Sequence, residues 1–163
     1  MIKLDRYDVA ILRILARDGR ITKSKLAEEV NLSISPAWER VRKLEESGVI
    51  RGYRADIDWV GAFSGSRIIV EVTLSRHPAY DQSRFEARIA AASEVIQCHA
   101  TGGGIDYVLH VVARDIDRYQ RFIDALLAED LGIERYFTYV VTKVVKDAPG
   151  PMLDAPEHFP SGA

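Results

Sequence analysis

The spacing of the apolar residues changes once along the chain, and this change limits the possible folds more than any other feature. Up to residue 48, apolar side chains recur every three or four positions, which is the spacing of amphipathic helices. From residue 67 onwards, segments in which every second residue is apolar alternate with helical segments. The two patterns together predict an α+β protein, in which a helical N-terminal part precedes a part built on a sheet.

The composition is that of an ordinary soluble globular protein. The 163 residues are 47% apolar and 28% charged, with 22 Lys+Arg against 24 Asp+Glu, which excludes disordered and collagen-like chains. No apolar run approaches the roughly 20 residues of a membrane-spanning helix, and Asp5 is out of place in a signal peptide. The single cysteine, Cys98, excludes an internal disulfide and is expected in the core. We therefore expect a cytoplasmic protein that binds no membrane and no metal.

Two helices with recognisable ends are predicted in the first 31 residues. Asp5 is a suitable N-cap for the first helix, and Gly19 suits its C-terminal end. Thr22 is a suitable N-cap for a short second helix. Asn31 can adopt the left-handed conformation that closes this second helix.

A third helix and a short strand are predicted next. Ser33 or Ser35 caps the helix, and Pro36 fits its first turn, where no intrahelical donor is needed. Gly48 ends the helix. Residues 49–54 then have the composition of a strand, which would enter a small hairpin or wing.

The second and third helices are spaced like a helix-turn-helix unit, whose second helix offers its N-terminal half to the major groove of DNA. Serine hydroxyls can donate to phosphates, and basic side chains can reach phosphates or guanine edges. The candidate DNA-binding residues are Ser33, Ser35, Trp38, Arg40, Arg42, Lys43 and Arg51. The spacing alone fits equally well a three-helix domain with a solvated basic face.

The remainder of the chain follows the order β-α-β-β-α-β, which is typical of a ferredoxin-like fold. The predicted strands cover residues 67–75, 95–101, 106–113 and 133–145, and the predicted helices cover residues 80–92 and 116–131. Residues 61–66 are small except for Phe63 and mark the end of a linker, so the predicted domains are residues 1–60 and 61–147. Four prolines after Asp147 predict an irregular tail over residues 148–163.

The apolar pattern also predicts the register of the middle hairpin. If residues 102–105 form its loop, Cys98 lies opposite Leu109, and Ala100 lies opposite Tyr107. Ile96, Cys98 and Ala100 then share a face that should pack on the two helices. The opposite face has no predicted helix to cover it, and it is either a subunit interface or a sheet face open to water. Its hairpin members are Gln97, His99, Val108, His110 and Val112.

These segments, in this order, resemble the leucine-responsive/asparagine-regulator (Lrp/AsnC, feast/famine) family of prokaryotic transcription factors. The resemblance covers about residues 2–146, and the segments that carry it are residues 4–12, 26–33, 40–53, 101–107, 115–127 and 138–141. It implies a winged helix-turn-helix joined to a ferredoxin-like effector and oligomerisation domain. It also implies regulators that bind specific double-stranded DNA sequences, form homodimers that often assemble into octamers, and respond to a small effector, commonly an amino acid.

The resemblance further implies an effector site. Gly102, Asp106 and Tyr107 match the effector-loop motif of the family, and Thr138 matches a last-strand position near the effector. The chain departs from the motif, because Gly103-Gly104-Ile105 puts three residues where relatives usually have two. Successive glycines expose N–H groups that can hold a carboxylate, and Asp106 can pair with an α-ammonium group. A hairpin turn that Asp106 stabilises is the alternative interpretation.

Two other functions are compatible with parts of the sequence. Siroheme decarboxylases resemble the same family, and they would need His and Arg groups around a large pocket. Here His99 and His110 share one face of the predicted sheet without a fuller basic cluster. The sequence shows no paired carboxylates, nucleophile–base set or phosphate-binding loop, so no catalytic residue and no cofactor are predicted. A ligand sensor without DNA binding is the other alternative, and the intact recognition segment argues against it.

Overall fold

The computed structural model describes residues 3–75 and 79–148 of the chain. The described residues divide into two compact units, one comprising residues 3–56 and 146–148, and one comprising the described part of Ile57–Val145. Of the tail predicted over residues 148–163, only residue 148 is among the described residues. Within the described ranges, no helix has the length and apolar character needed to cross a membrane.

Three helices form the N-terminal unit, α1 (Arg6–Arg17), α2 (Lys23–Glu29) and α3 (Ile34–Glu46). The predicted cap of α1 is confirmed, since the Asp5 carboxylate accepts hydrogen bonds from the N–H groups of Tyr7 and Asp8. The Asp8 carboxylate in turn accepts from the Asp5 N–H group, which completes a capping box. These reciprocal bonds satisfy donors that the first helical turn would otherwise leave unpaired.

The ends of α2 and α3 also follow the predicted capping pattern. The Thr22 hydroxyl accepts from the Lys25 N–H group, and Asn31 adopts a left-handed conformation with φ of 54° after α2. Ser33 occupies the N-cap position of α3, although its hydroxyl makes no capping hydrogen bond. One apolar side of each helix is buried in a shared core. The core residues are Ile11, Ile14, Leu26, Ala27, Val30, Ala37, Val41 and Leu44.

An ion pair connects the start of α1 to the middle of α3. Arg40 Nη1 lies 2.7 Å from Asp5 Oδ2 and 2.7 Å from Asp8 Oδ1. The Arg40 guanidinium also lies over the Tyr7 ring, 5.3 Å from its centre. Partial burial raises the pKa of Asp5, but hydrogen bonds from the Asp8 N–H group and from Arg40 outweigh this effect and hold the pKa below its usual value.

The strand predicted at residues 49–54 is absent. The described residues contain a single sheet, and its four strands all belong to the second unit, so this segment has no neighbouring strand to pair with. Instead, the Ile50 N–H group donates to the Leu44 carbonyl at 3.0 Å, and Gly48 has a φ of 73° at the end of α3. Arg51 therefore lies in an irregular segment after the helix.

The second unit contains the predicted βαββαβ order, preceded by one short helix. Its elements are α4 (Trp59–Phe63), β1 (Ser66–Leu74), α5 (Ala79–Ala90), β2 (Val95–Ala100), β3 (Tyr107–Ala113), α6 (Ile116–Ala128) and β4 (Ile133–Val140). Helix α4 occupies part of the predicted linker, and it is capped by Asp58, whose carboxylate accepts from the Gly61 N–H group at 2.8 Å. The sheet has the order β2-β3-β1-β4 with antiparallel neighbours throughout, which confirms the ferredoxin-like topology.

Alternate residues of the two central strands face the helices and form the core of the second unit. Ile68, Val70 and Val72 of β1 are at most 1% exposed. Side chains from α5 and α6 complete the core on the same side of the sheet. The strand members from β3 are Tyr107, Leu109, Val111 and Ala113, and the helical members include Phe85, Ile89, Tyr119, Phe122, Ile123 and Leu126.

The register predicted for the hairpin is confirmed near its loop, where Cys98 pairs with Leu109 and Ala100 with Tyr107. A bulge between Val95 and Gln97 shifts the pairing further along. The expected packing of the β2 side chains on the helices is wrong, because Ile96, Cys98 and Ala100 are exposed. Strand β2 is an edge strand, and a groove of about 470 Å³ stays open between it and α5. Cys98 is therefore not a core residue.

The last strand is shorter than predicted, since β4 ends at Val140 rather than at residue 145. Its neighbour β1 begins at Ser66, and Ile68 pairs with Val140. One further hydrogen bond follows, from the Val141 N–H group to the Arg67 carbonyl. Residues 141–145 extend past the first residue of β1, so they do not form a strand although many of them are β-branched.

We predict that the Arg40→Met variant changes how stability depends on acidity. Because the folded state lowers the pKa of Asp5, its carboxylate contributes stability that is present above about pH 4 and is lost as the pH falls through the folded-state pKa. The Tm of the wild-type chain should therefore fall more steeply between pH 5 and pH 3 than that of Arg40→Met. Arg42→Met is the control, and equal pH profiles for wild type and Arg40→Met would contradict the prediction.

Candidate DNA-binding surface and effector loop

Helices α2 and α3 form a helix-turn-helix unit whose second helix has a clearly defined outer face. Ala37, Val41 and Leu44 of α3 are at most 1% exposed and pack in the N-terminal core. Because these positions form one stripe of the helix, the residues between them must face outward. The outer face thus presents the hydroxyl and basic side chains that were predicted to meet DNA.

Most of the predicted DNA-binding residues are exposed. Arg42 lies on the outer face, and its Nε is 3.4 Å from Glu46 Oε1, with both side chains 65% exposed. Such an exposed pair is weak and leaves Arg42 available for another anion. Arg40 is different, because its guanidinium is held by Asp5 and Asp8 of the first unit. The other exposed candidates are Ser33, Ser35, Trp38, Lys43 and Arg51.

Two further residues join this surface that the sequence did not single out. Lys23, the first residue of α2, places its Nζ 3.9 Å from the centre of the Trp38 ring. Ile34, the first residue of α3, is 52% exposed although its spacing matches the buried stripe. The position of Lys23 at the start of the first helix of the unit is a signal that could have identified it.

The predicted effector loop is held in place by hydrogen bonds at its base. The Asp106 N–H group donates to the Val72 carbonyl at 3.0 Å, and Asp106 Oδ2 accepts from the Leu74 N–H group at 2.7 Å. Thr101 Oγ1 donates to the Ile105 carbonyl at 2.7 Å. Asp106 therefore ties the hairpin to β1, which supports its predicted role in stabilising the turn.

The glycines of the loop are exposed and have open space around them. A side chain at Gly102, Gly103 or Gly104 would meet no atom within 4 Å. Only Gly103 has a backbone that favours glycine, with a φ of 149°. The loop glycines therefore lie at the surface, with room beside them for a small molecule.

The other two predicted effector residues are strand residues, Tyr107 directly after the loop at the start of β3 and Thr138 on β4. Tyr107 is 4% exposed, and its hydroxyl donates to Glu86 Oε1 of α5 at 2.8 Å. Burial and the Glu86 carboxylate raise the pKa of Tyr107 to about 12. Thr138 lies on edge strand β4, with β1 between it and β3, and its hydroxyl is hydrogen-bonded to Tyr119. One chain thus does not bring all six predicted effector residues to one place.

The face of the sheet opposite the helices carries large apolar side chains. Phe137 and Tyr139 are 47% and 48% exposed. The rings of His99 and His110 meet edge to face, with their centres 6.0 Å apart. Burial, His99 and the charge of Arg67 all lower the pKa of His110. Among residues 3–75 and 79–148, no three His, Cys, Asp or Glu side chains are grouped as a metal site.

Comparisons with known proteins match both units. Residues 67–151 match the Lrp/AsnC ligand binding domain, and residues 4–51 match the winged helix-turn-helix DNA-binding family. The transcriptional regulatory protein DoeX of Halomonas elongata is 56% identical over 144 residues, which cover 88% of this chain and 91% of that protein. The Bkd operon transcriptional regulator of Pseudomonas aeruginosa is 42% identical over 123 residues, covering 76% of this chain and 80% of that protein.

Solved structures share the same fold. An AsnC family transcriptional regulator from Agrobacterium tumefaciens has a TM-score of 0.83 and 32% identity, covering 89% of this chain and 94% of that one. A transcriptional regulator from Neisseria meningitidis, solved as a complex with L-Met, has a TM-score of 0.84 and 29% identity with the same coverage. The chain therefore belongs to the Lrp/AsnC family of transcription regulators, with a helix-turn-helix DNA-binding domain and a ligand-binding domain.

Proposed function

We propose that the chain binds specific sequences of double-stranded DNA through the outer face of α3, and that an amino acid modulates its DNA binding or its assembly. The observation that carries the first part is the division of α3 into two faces. Ala37 and Val41 hold one face in the core, while Ser35, Trp38 and Arg42 are exposed on the other. A role on the chromosome places the chain in the cytoplasm.

The contributions of the predicted DNA-binding residues differ. Ser33 and Ser35 stand at the N-terminal end of α3, where hydroxyl and N–H groups can donate to phosphates. Arg42 is the best candidate for a base contact, since its pair with Glu46 is exposed and easily exchanged. Lys43 and Arg51 supply phosphate contacts, whereas Arg40 acts mainly by holding α3 to α1.

We predict that Arg42→Ala weakens binding to the preferred DNA site by about 1–3 kcal/mol if the guanidinium contacts a base. This corresponds to about a five- to 150-fold rise in Kd. The measurement is a fluorescence anisotropy titration with DNA from upstream of the gene that encodes the chain, compared with random-sequence DNA across salt concentrations.

Arg121→Ala is the matched control for this measurement. Arg121 forms an equivalent exposed ion pair with Asp117, four residues away on α6 in the second unit. Its loss should leave Kd unchanged. Equal Kd values for Arg42→Ala and wild type would remove Arg42 from the interface, and equal affinity of the wild type for both DNAs would contradict sequence-specific binding.

We also propose that two copies associate through the open sheet face and that such homodimers assemble further into octamers. The apolar surface of Phe137 and Tyr139 supports this interface, since large exposed apolar patches mark association sites. A two-fold contact buries the same patch on both copies. A dimer also supplies two recognition helices for successive major grooves about 34 Å apart.

We predict that Phe137→Arg shifts the chain towards monomer, because it replaces an apolar side chain of the proposed contact with a charge. Sedimentation velocity measures the change in mass. Ile116→Arg is the control, since Ile116 is similarly exposed at 51% but lies at the start of α6. An unchanged mass for Phe137→Arg, in a chain with unchanged circular dichroism, would exclude this face as the interface.

The proposed effector is an amino acid that contacts the loop containing Gly102, Gly103, Gly104 and Asp106. The L-Met complex of the related Neisseria meningitidis regulator supports this class of ligand. Loop N–H groups suit the carboxylate of an amino acid, and the Asp106 carboxylate suits its ammonium group. Because Thr138 lies on β4, with β1 between it and the strand that follows the loop, we propose that a second copy completes the site.

We predict that at least one of the twenty amino acids raises the Tm of the chain, because a ligand that binds only the folded state stabilises it by about 2.7 kcal/mol at 100 times its Kd. The Asp106→Asn variant should lose this shift while keeping its own Tm, since an amide oxygen can still accept from the Leu74 N–H group. Asp106→Ala should instead lower the Tm without ligand, because it leaves that N–H group unpaired.

The outcome of this thermal-shift experiment separates the two interpretations of the loop. A ligand shift that survives in Asp106→Asn would exclude an ionic contact to the ammonium group. No shift with any amino acid at millimolar concentration would contradict an amino-acid effector. The siroheme-decarboxylase alternative is not proposed, since His99 and His110 lie on the open sheet face that we assign to association.

A further inference from the structure

The outer surface of the helix-turn-helix unit contains one contact between its two helices that involves a charge. Lys23 opens α2, and Trp38 lies in the N-terminal half of α3. The Lys23 ammonium nitrogen lies 3.9 Å from the centre of the indole ring, and both residues are exposed. The ammonium group thus lies on the side of the unit that also carries the exposed residues of α3.

A cation over an indole face is attracted by the negative charge of the ring, and tryptophan gives the strongest such contact. A lysine side chain in water is otherwise flexible, and it loses much rotamer freedom when it binds an anion. A ring that already holds the ammonium group reduces this loss. An ammonium group carries three N–H donors, so those that do not face the ring can donate to an oxygen anion.

The contact matters because of where α2 stands in the unit. In helix-turn-helix proteins the first helix crosses the DNA backbone while the second enters the major groove. Arg40, the most central cation of α3, is already neutralised by Asp5 and Asp8. Arg40 is therefore less available to a phosphate than Lys23, which stands at the start of the helix that crosses the backbone.

We propose that Lys23 binds a DNA phosphate and that Trp38 is the positioning residue that holds its ammonium group for this contact. The proposal rests on the DNA-binding function proposed above. It assigns Trp38 a role different from reading a base, because one face of its ring is occupied by Lys23. A phosphate contact has no sequence preference, so its removal weakens binding to all DNA sequences alike.

The test is the salt dependence of binding, because each phosphate contact releases counterions and adds about 0.9 to the slope of log K against log salt. The probe is a fluorescein-labelled random-sequence duplex of about 40 base pairs, titrated with the full chain by anisotropy. Lys23→Met should reduce the slope by about 0.9. Lys25→Met is the matched control, because Lys25 carries the same charge about 200° further round the same helix.

Trp38 is tested by two substitutions that leave the net charge unchanged. Trp38→Leu should weaken binding about two- to five-fold at low salt, which is the fold-change equivalent of an exposed cation–π contact. Trp38→Phe, which keeps an aromatic face, should restore part of this loss. Adding Trp38→Leu to Lys23→Met should cause no further loss, because the ring then has no ammonium group to hold.

The outcomes separate this inference from the DNA-binding function itself. A wild-type chain that binds no DNA overturns both. A wild-type chain that binds, with equal salt slopes for Lys23→Met and Lys25→Met, overturns only the role of Lys23. If Trp38→Leu weakens DNA binding equally in the wild type and in Lys23→Met, Trp38 does not act by positioning Lys23. This conclusion holds whatever the effect of Trp38→Leu on Tm.

Discussion

Burial of a single apolar face per element is the constraint on which both units of this chain depend. In α3, Ala37, Val41 and Leu44 must turn inward, so the hydroxyl and basic side chains between them face outward. In β1, Ile68 and Val70 must meet the helices, so the neighbouring strands direct residues such as Phe137 and Tyr139 to the other side. The surfaces that we assign to DNA and to a second subunit are thus the faces of these helices and strands that are not buried in the two cores.

Charged residues in such a surface acquire different roles from the contacts that surround them. Arg40 and Arg42 stand two residues apart on α3, yet Arg40 holds two carboxylates of α1, while Arg42 has only an exposed partner in its own helix. Asp106 likewise binds the Leu74 N–H group before any ligand arrives. A charge that is already compensated stabilises the fold, and a charge that is weakly compensated is available for a partner.

The residues that we assign to the effector site are spread over the sheet of one chain. The effector loop lies at the end of β3, whereas Thr138 lies on β4, and β1 separates the two strands. The open sheet face carries exposed Phe137 and Tyr139, while α5 and α6 pack on its other side, where β2 leaves a groove beside α5. In a family that has both a DNA-binding and a ligand-binding domain, association of subunits can couple ligand binding to DNA binding. The same association would complete the effector site and pair the recognition helices.

The sequence by itself determined the three N-terminal helices with their caps, the order of helices and strands along the chain, and the hairpin register near its loop, because these follow from patterns and contacts of residues close in the chain. Only the tertiary structure decided whether a segment found a partner. Residues 49–54 and 141–145 have strand-like composition but no strand beside them, and Cys98 is exposed because its strand is at the sheet edge. The partners of Arg40 and of Lys23 are likewise distant in sequence, so only folding brings them together.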